Sequence, residues 1–220
     1  MHIGNWSDYK TMMQEPMKLS PDKTIGFIAL LLAGVAVLGL VFITLFYSLN
    51  PDNPFGTLND YCVALGGILS GMLALAMFPL HHSSAPRLSW LALLSALLGA
   101  CFASVGSWLV VTSRTGWFLA GLVSTFGYAL IGLWLLSVNI SIRKQADFSR
   151  RLSTFGILTG IGMAIGLSVI PAIFARVDSL ESAPWYAVSG LVGGGMSWNI
   201  LYTIWCIWFG RLIVSNRVGA

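Results

Sequence analysis

The chain has 220 residues, of which 56% are hydrophobic and only 9% charged, with a formal net charge of +4. A soluble domain carries about 25% charged residues, so there are too few here to cover a water-facing surface, and lipid is the solvent for most of the chain. No long basic patch with interleaved aromatic residues is present, which excludes a nucleic-acid partner.

Residues 1–24 read as a tail. Trp6, Tyr9, Met13 and Met17 recur at helical spacing beside Lys10 and Lys18, which suits a short amphipathic helix on a membrane surface. Pro16 interrupts that pattern, and a flexible tail fits as well. Six apolar runs then follow within residues 25–214, before a short tail at 215–220. A bilayer core about 30 Å thick needs roughly 20 helical residues. The runs are Ile25 to Ser48, Asn59 to Pro79, Leu88 to Thr112, Gly116 to Val138, Leu152 to Ala175 and Trp185 to Val214. Lipid cannot hydrogen-bond bare backbone, so each must be a helix or a strand of a closed barrel. Barrel strands show about 10 residues of strict alternation. These runs are longer and apolar all round, which predicts an all-α, polytopic membrane bundle of six transmembrane helices. The first run is about twice a signal-peptide core and is read as uncleaved.

Six spans put both ends of the chain on one side. Every Lys and Arg except Arg114 and Arg176 then falls on that side, including Arg143, Lys144, Arg150 and Arg151 in one loop. Acidic residues divide evenly, with Asp52, Asp60, Asp178 and Glu181 on the far face. Orientation follows Lys and Arg, not net charge, so both termini are expected in the cytoplasm. A plasma membrane, of bacterial type, is the expected location. Trp90, Trp108, Trp117, Trp185, Trp205 and Trp208 lie near span ends and read as an interfacial belt.

Small residues let helices approach closely in lipid. Gly67-xxx-Gly71, Gly156-xxx-Gly160, Gly162-xxx-Gly166 and Gly190-xxx-Gly194 are candidate packing faces. The tandem pair on the fifth helix points to two neighbours and a central position for that helix. Pro171 removes a backbone hydrogen bond late in the same span and is a candidate hinge.

Asn199 reads as the most polar residue deep in any span. Tyr202 stands three residues on, sharing its helix face, and Gly193, Gly194 and Gly195 precede it. A glycine run weakens a helix, and a broken helix with a nearby amide is one way transporters build a substrate site. No histidine lies inside a span, and His81-His82 at the end of the second point in different directions, so neither haem nor another metal is expected. Cys62, Cys101 and Cys206 form no CxxC pair and read as small packing residues. There is no HExxH, GxSxG or phosphate-binding glycine loop. No catalytic residue and no cofactor is therefore assigned. Asp178 and Glu181 read as solvated loop charges.

The principal expectation is a non-catalytic membrane protein: a subunit, an assembly factor or a regulator acting by helix packing. Its partners would be the bilayer and another membrane protein, or a second copy as a homodimer. The alternative is a small permease for a neutral or amphipathic solute, with Asn199, Tyr202 and the glycine run at its site. Ion coupling is disfavoured on the ground that no titratable group lies within a span.

Overall fold

A computed structural model of the protein describes residues 23–49, 53–143 and 149–215. The candidate amphipathic tail lies outside them. All secondary structure among the described residues is helical. In chain order come α1 (Lys23–Ser48), α2 (Phe55–Ser84), α3 (Pro86–Val111) and α4 (Trp117–Ile142). The fifth rod is α5 (Arg150–Ala164), a 3₁₀ stretch (Ile165–Val169) and α6 (Ile170–Phe174). The sixth is α7 (Trp185–Met196), a π-helical stretch (Ser197–Tyr202) and α8 (Thr203–Val214). Helices α1 to α4 and the fifth rod are each long and apolar enough to cross a bilayer. The sixth rod runs unbroken from Trp185 to Val214. The protein is a multi-pass membrane helix bundle.

Consecutive helices are antiparallel neighbours, as short connections require. Helix α1 closes the ring by packing on α8. The centre belongs to α4, which touches α2, α3 and both later rods. This corrects the expectation that the fifth helix is central. The physical reason lies in α4's small residues. Gly99 of α3 lies so close to Gly127 of α4 that a Cβ on either would meet the other's carbonyl oxygen. Gly106 is sealed against Ser124 and Ala120, and Gly132 against Met163 and Gly160. Backbones meet on two sides of α4, as lipid-embedded packing favours.

Three helix boundaries move, with consequences; at its far end α2 runs past Pro79 to Ser84, so His81 and His82 stand inside a helix, against the expectation that no histidine does. The expected second span begins near Asn59, but α2 begins at Phe55. Asn53 starts it: its Oδ1 accepts the Phe55 N–H at 3.0 Å, while its Nδ2 donates to the Phe46 carbonyl at 3.3 Å. One side chain thus ties the end of α1 to the start of α2. Asp60, at the very edge of the expected span, therefore stands more than a full turn inside the helix. The fourth span extends past Val138 to Ile142, which brings in Asn139, wholly buried. Its Nδ2 donates to the Leu135 carbonyl at 2.8 Å, and its Oδ1 accepts from Trp205 Nε1 at 3.3 Å. The most buried amide is Asn139, near the end of α4, whereas Asn199 at the middle of the sixth rod is half-buried. Trp205 is likewise not an interfacial residue. It is buried, stacked on Phe209 with centroids 4.8 Å apart. Trp90, Trp108, Trp117 and Trp185 are exposed.

Pro171 explains the 3₁₀ stretch. It has no N–H for the Leu167 carbonyl four residues back. The Ile170 N–H takes that carbonyl instead, over three residues, which tightens the turn. The stretch is packed on two sides: Gly166 meets Thr125 and Ala129 of α4, and Ser168 Oγ donates to the Tyr186 carbonyl at 2.9 Å.

Candidate functional site: a cavity between the helices

A cavity of about 200 Å³ opens among α1, α2, α3, α4 and the sixth rod. Its walls include Ile43, Val63, Val110, Ala120 and Leu191, with Gly106, Gly121 and Gly195 where space is needed. Its polar groups are Asn59, Asp60, Ser107, Ser124, Thr125 and Asn199, and its aromatic groups are Trp117 and Trp198. Asp60 stands on the second turn of α2 and Trp117 at the start of α4. The cavity therefore belongs to the end of the bundle that carries the 112–116 and 175–184 connections. Thr125, eight residues into α4, lies about 12 Å deeper.

The π-helical stretch has a local cause. Three side chains in succession bond back to the carbonyl four residues earlier. Ser197 Oγ donates to Gly193 at 2.8 Å, Asn199 Nδ2 to Gly195 at 3.0 Å, and Thr203 Oγ1 to Asn199 at 2.7 Å. Such bonds compete with the helix's own ladder, and π-turns recur at functional sites. The irregularity thus follows the glycine run; Gly193, Gly194 and Gly195 remain α-helical within α7.

The sequence-derived site residues separate. Asn199 and Gly195 line the cavity, and a Cβ on Gly195 would meet nothing within 4 Å. Gly194 packs on Gly166 and Thr125, and Gly193 faces Ile165. Tyr202 points elsewhere: it is buried, and its hydroxyl donates to Ser70 Oγ at 3.3 Å. The small-residue motifs meet neighbours in the same chain. Gly67 and Gly71 meet Ala100 and Ala103 on α3. Gly156 covers the Asn139 amide, Gly160 meets Leu136, and Gly162 meets Ser197.

Asp60 is the second residue of the run expected from Asn59, and that edge position made it read as a far-face charge and not as an inner residue. A half-buried carboxylate now stands in a helix, so the stated ground for excluding ion coupling falls. Among the described residues it takes part in no hydrogen bond or ion pair. Asp178 also changes role. It is no free loop charge, since its Oδ2 accepts the Gly116 N–H at 2.7 Å and its Oδ1 the Leu119 N–H at 3.0 Å. It caps α4, where a negative charge is favourable.

The cavity has a floor. Trp198 lies flat on Tyr128, whose hydroxyl donates to the Val63 carbonyl at 2.8 Å. Beyond it Tyr202, Trp205 and Phe209 fill the core. At the opposite end of the bundle His81 Nε2 meets Ser141 Oγ at 3.1 Å and His82 Nδ1 meets Ser89 Oγ at 3.0 Å. The two rings engage different helices, and no group of three metal-binding side chains occurs among the described residues. Compared with known proteins, the chain matches no family model, no curated protein and no solved structure.

Proposed function

We propose that the protein binds a small polar solute in the cavity between its helices, as the binding step of a permease. The observation that carries this reading is the convergence of Asp60, Asn199 and the Ser107 and Ser124 hydroxyls on one space of about 200 Å³. A helix bundle that only packed would fill it, because unfilled space forfeits contacts. Buried polar groups that leave room are the usual lining of a ligand site. The charge bias of the loops supports a cavity mouth on the outer face of a plasma membrane. With few helices for an alternating path, a homodimer is the fitting assembly.

A second reading is favoured by the floor. The Tyr128–Trp198 stack and the filled core beyond it leave the cavity a dead end. That suits a non-catalytic subunit or regulator that senses a solute without passing it.

Gly195→Leu separates these readings from pure scaffolding. It places a side chain where the backbone has room, so the bundle should assemble while the cavity is filled. The protein is extracted with its native lipid, and copurifying molecules are identified by mass spectrometry. A small molecule enriched with the wild type and lost from the variant is expected. Equal enrichment with both, or none with either, would remove the solute-binding reading. A stoichiometric membrane-protein partner with both would support the subunit role.

A further inference from the structure

Resting on the cavity reading, we infer that the solute is a small organic ammonium ion, held by the Asp60 carboxylate against the Trp117 and Trp198 rings. The first argument is charge. Among the described residues no Lys, Arg or His lines the cavity, while a carboxylate without a protein partner does. A half-buried carboxylate needs a cation or hydrogen-bond donors to offset lost hydration.

The second argument is the direction of the remaining polar groups. Ser107 Oγ donates to the Ala103 carbonyl at 3.2 Å, and Ser124 Oγ donates to the same carbonyl at 3.3 Å. Asn199 spends an amide hydrogen on Gly195. The lone pairs of the two hydroxyls and the Asn199 Oδ1 are what these groups can offer a guest, so the guest is a donor or a cation. Asn59 and Thr125 remain able to donate, which allows one hydroxyl or ether oxygen on the solute.

The third argument excludes anions and zwitterions. A solute carboxylate would seek a basic side chain or a helix N-terminus. Two helix N-termini lie next to the cavity, and both already hold a side-chain oxygen of this chain, Asn53 at α2 and Asp178 at α4. Size then separates an organic cation from a bare metal ion. A liquid water occupies about 30 Å³, so about 200 Å³ is far more than one desolvated ion fills and matches a molecule of several heavy atoms. The two indoles add faces that attract ammonium groups.

The test uses the full chain in lipid nanodiscs, read by intrinsic tryptophan fluorescence and by thermal stabilisation. The probes are tetramethylammonium, ethylammonium and choline chlorides, with sodium chloride at equal ionic strength as control. The neutral isostere of choline, 3,3-dimethylbutan-1-ol, is titrated beside them. At least one ammonium should bind saturably, and choline should bind at least about tenfold more tightly than the isostere, the scale of a charge–charge contact at a partly desolvated site. Asp60→Asn should weaken ammonium binding by the same factor, with Asp60→Glu recovering part of it. No saturable ammonium binding, equal affinity for the isostere, or unchanged binding in Asp60→Asn would each overturn the inference. The isostere comparison on the wild type decides even if Asp60→Asn does not fold. Isostere binding as tight as that of choline, abolished by Gly195→Leu, would sink the ammonium and keep the cavity. Ligand binding unaffected by Gly195→Leu would sink both.

Discussion

Trp198 lies flat on Tyr128, with ring centroids 4.1 Å apart and planes inclined by 8°. The stack joins the π-helical stretch to the central helix and forms the base of the cavity. Each ring is held from outside the pair. Tyr128 is fixed by its bond to Val63, and its hydroxyl fills the place where a Cβ on Gly66 would stand. Trp198 is placed by the widened turn around Asn199.

The two halves of this arrangement should differ in energetic weight. Tyr128→Phe removes one interhelical hydrogen bond and should cost about 0.6 kcal/mol, the average for such bonds in membranes. Trp198→Ala leaves a void under the cavity and should cost roughly 3 kcal/mol or more. Reversible unfolding in mixed micelles measures both. Equal losses would mean that the stack adds nothing to the floor.

Glycines in this chain divide into those that a neighbour occupies and those that face space. A Cβ at Gly99 would stand 2.5 Å from the Gly127 carbonyl oxygen, in backbone that cannot move aside, whereas Gly34 has nothing within 4 Å. Gly99→Leu should therefore abolish a monodisperse peak in fluorescence-detected size-exclusion chromatography. Gly34→Ala should keep the peak and gain up to about 1 kcal/mol from helix propensity.

The cap on α4 comes from a residue far along the chain. Asp178→Ala should lower stability by about 0.5–2 kcal/mol, and Asp178→Asn by less, since the amide oxygen can still accept a backbone N–H. Thermal unfolding of the two variants side by side tests this. An alanine variant as stable as the wild type would show that the Gly116 and Leu119 N–H groups are satisfied by water.

Topology rests on loop charge, and a labelling experiment checks it directly. Pro54 and Ser149 are both exposed, at the starts of α2 and α5. With Cys62, Cys101 and Cys206 replaced, Pro54→Cys should react with an impermeant maleimide on intact cells. Ser149→Cys should react only after permeabilisation. The reverse pattern would invert the orientation and place the cavity mouth in the cytoplasm.

The sequence alone determined the class, the number of helical rods and their approximate bounds, because lipid imposes those through local properties. A run of about 20 uncharged apolar residues must be helical wherever it sits. Asn199 and Gly195 were also legible as a polar and a small residue side by side. Tertiary structure alone decided what each side chain faces. Hydropathy is nearly uniform around these helices, so it carries no signal separating the lipid side from the core. Trp205 and Trp208 look alike in the sequence, yet one is buried against Asn139 and the other reaches the surface. Tyr202 shares a helix with Asn199 but turns to Ser70. Asp60 was hidden by its position at the edge of an apolar run. Only Asn53 starting α2 early, and α3 and α4 closing through Gly99, Gly106 and Gly127, bring that carboxylate into one cavity with Asn199.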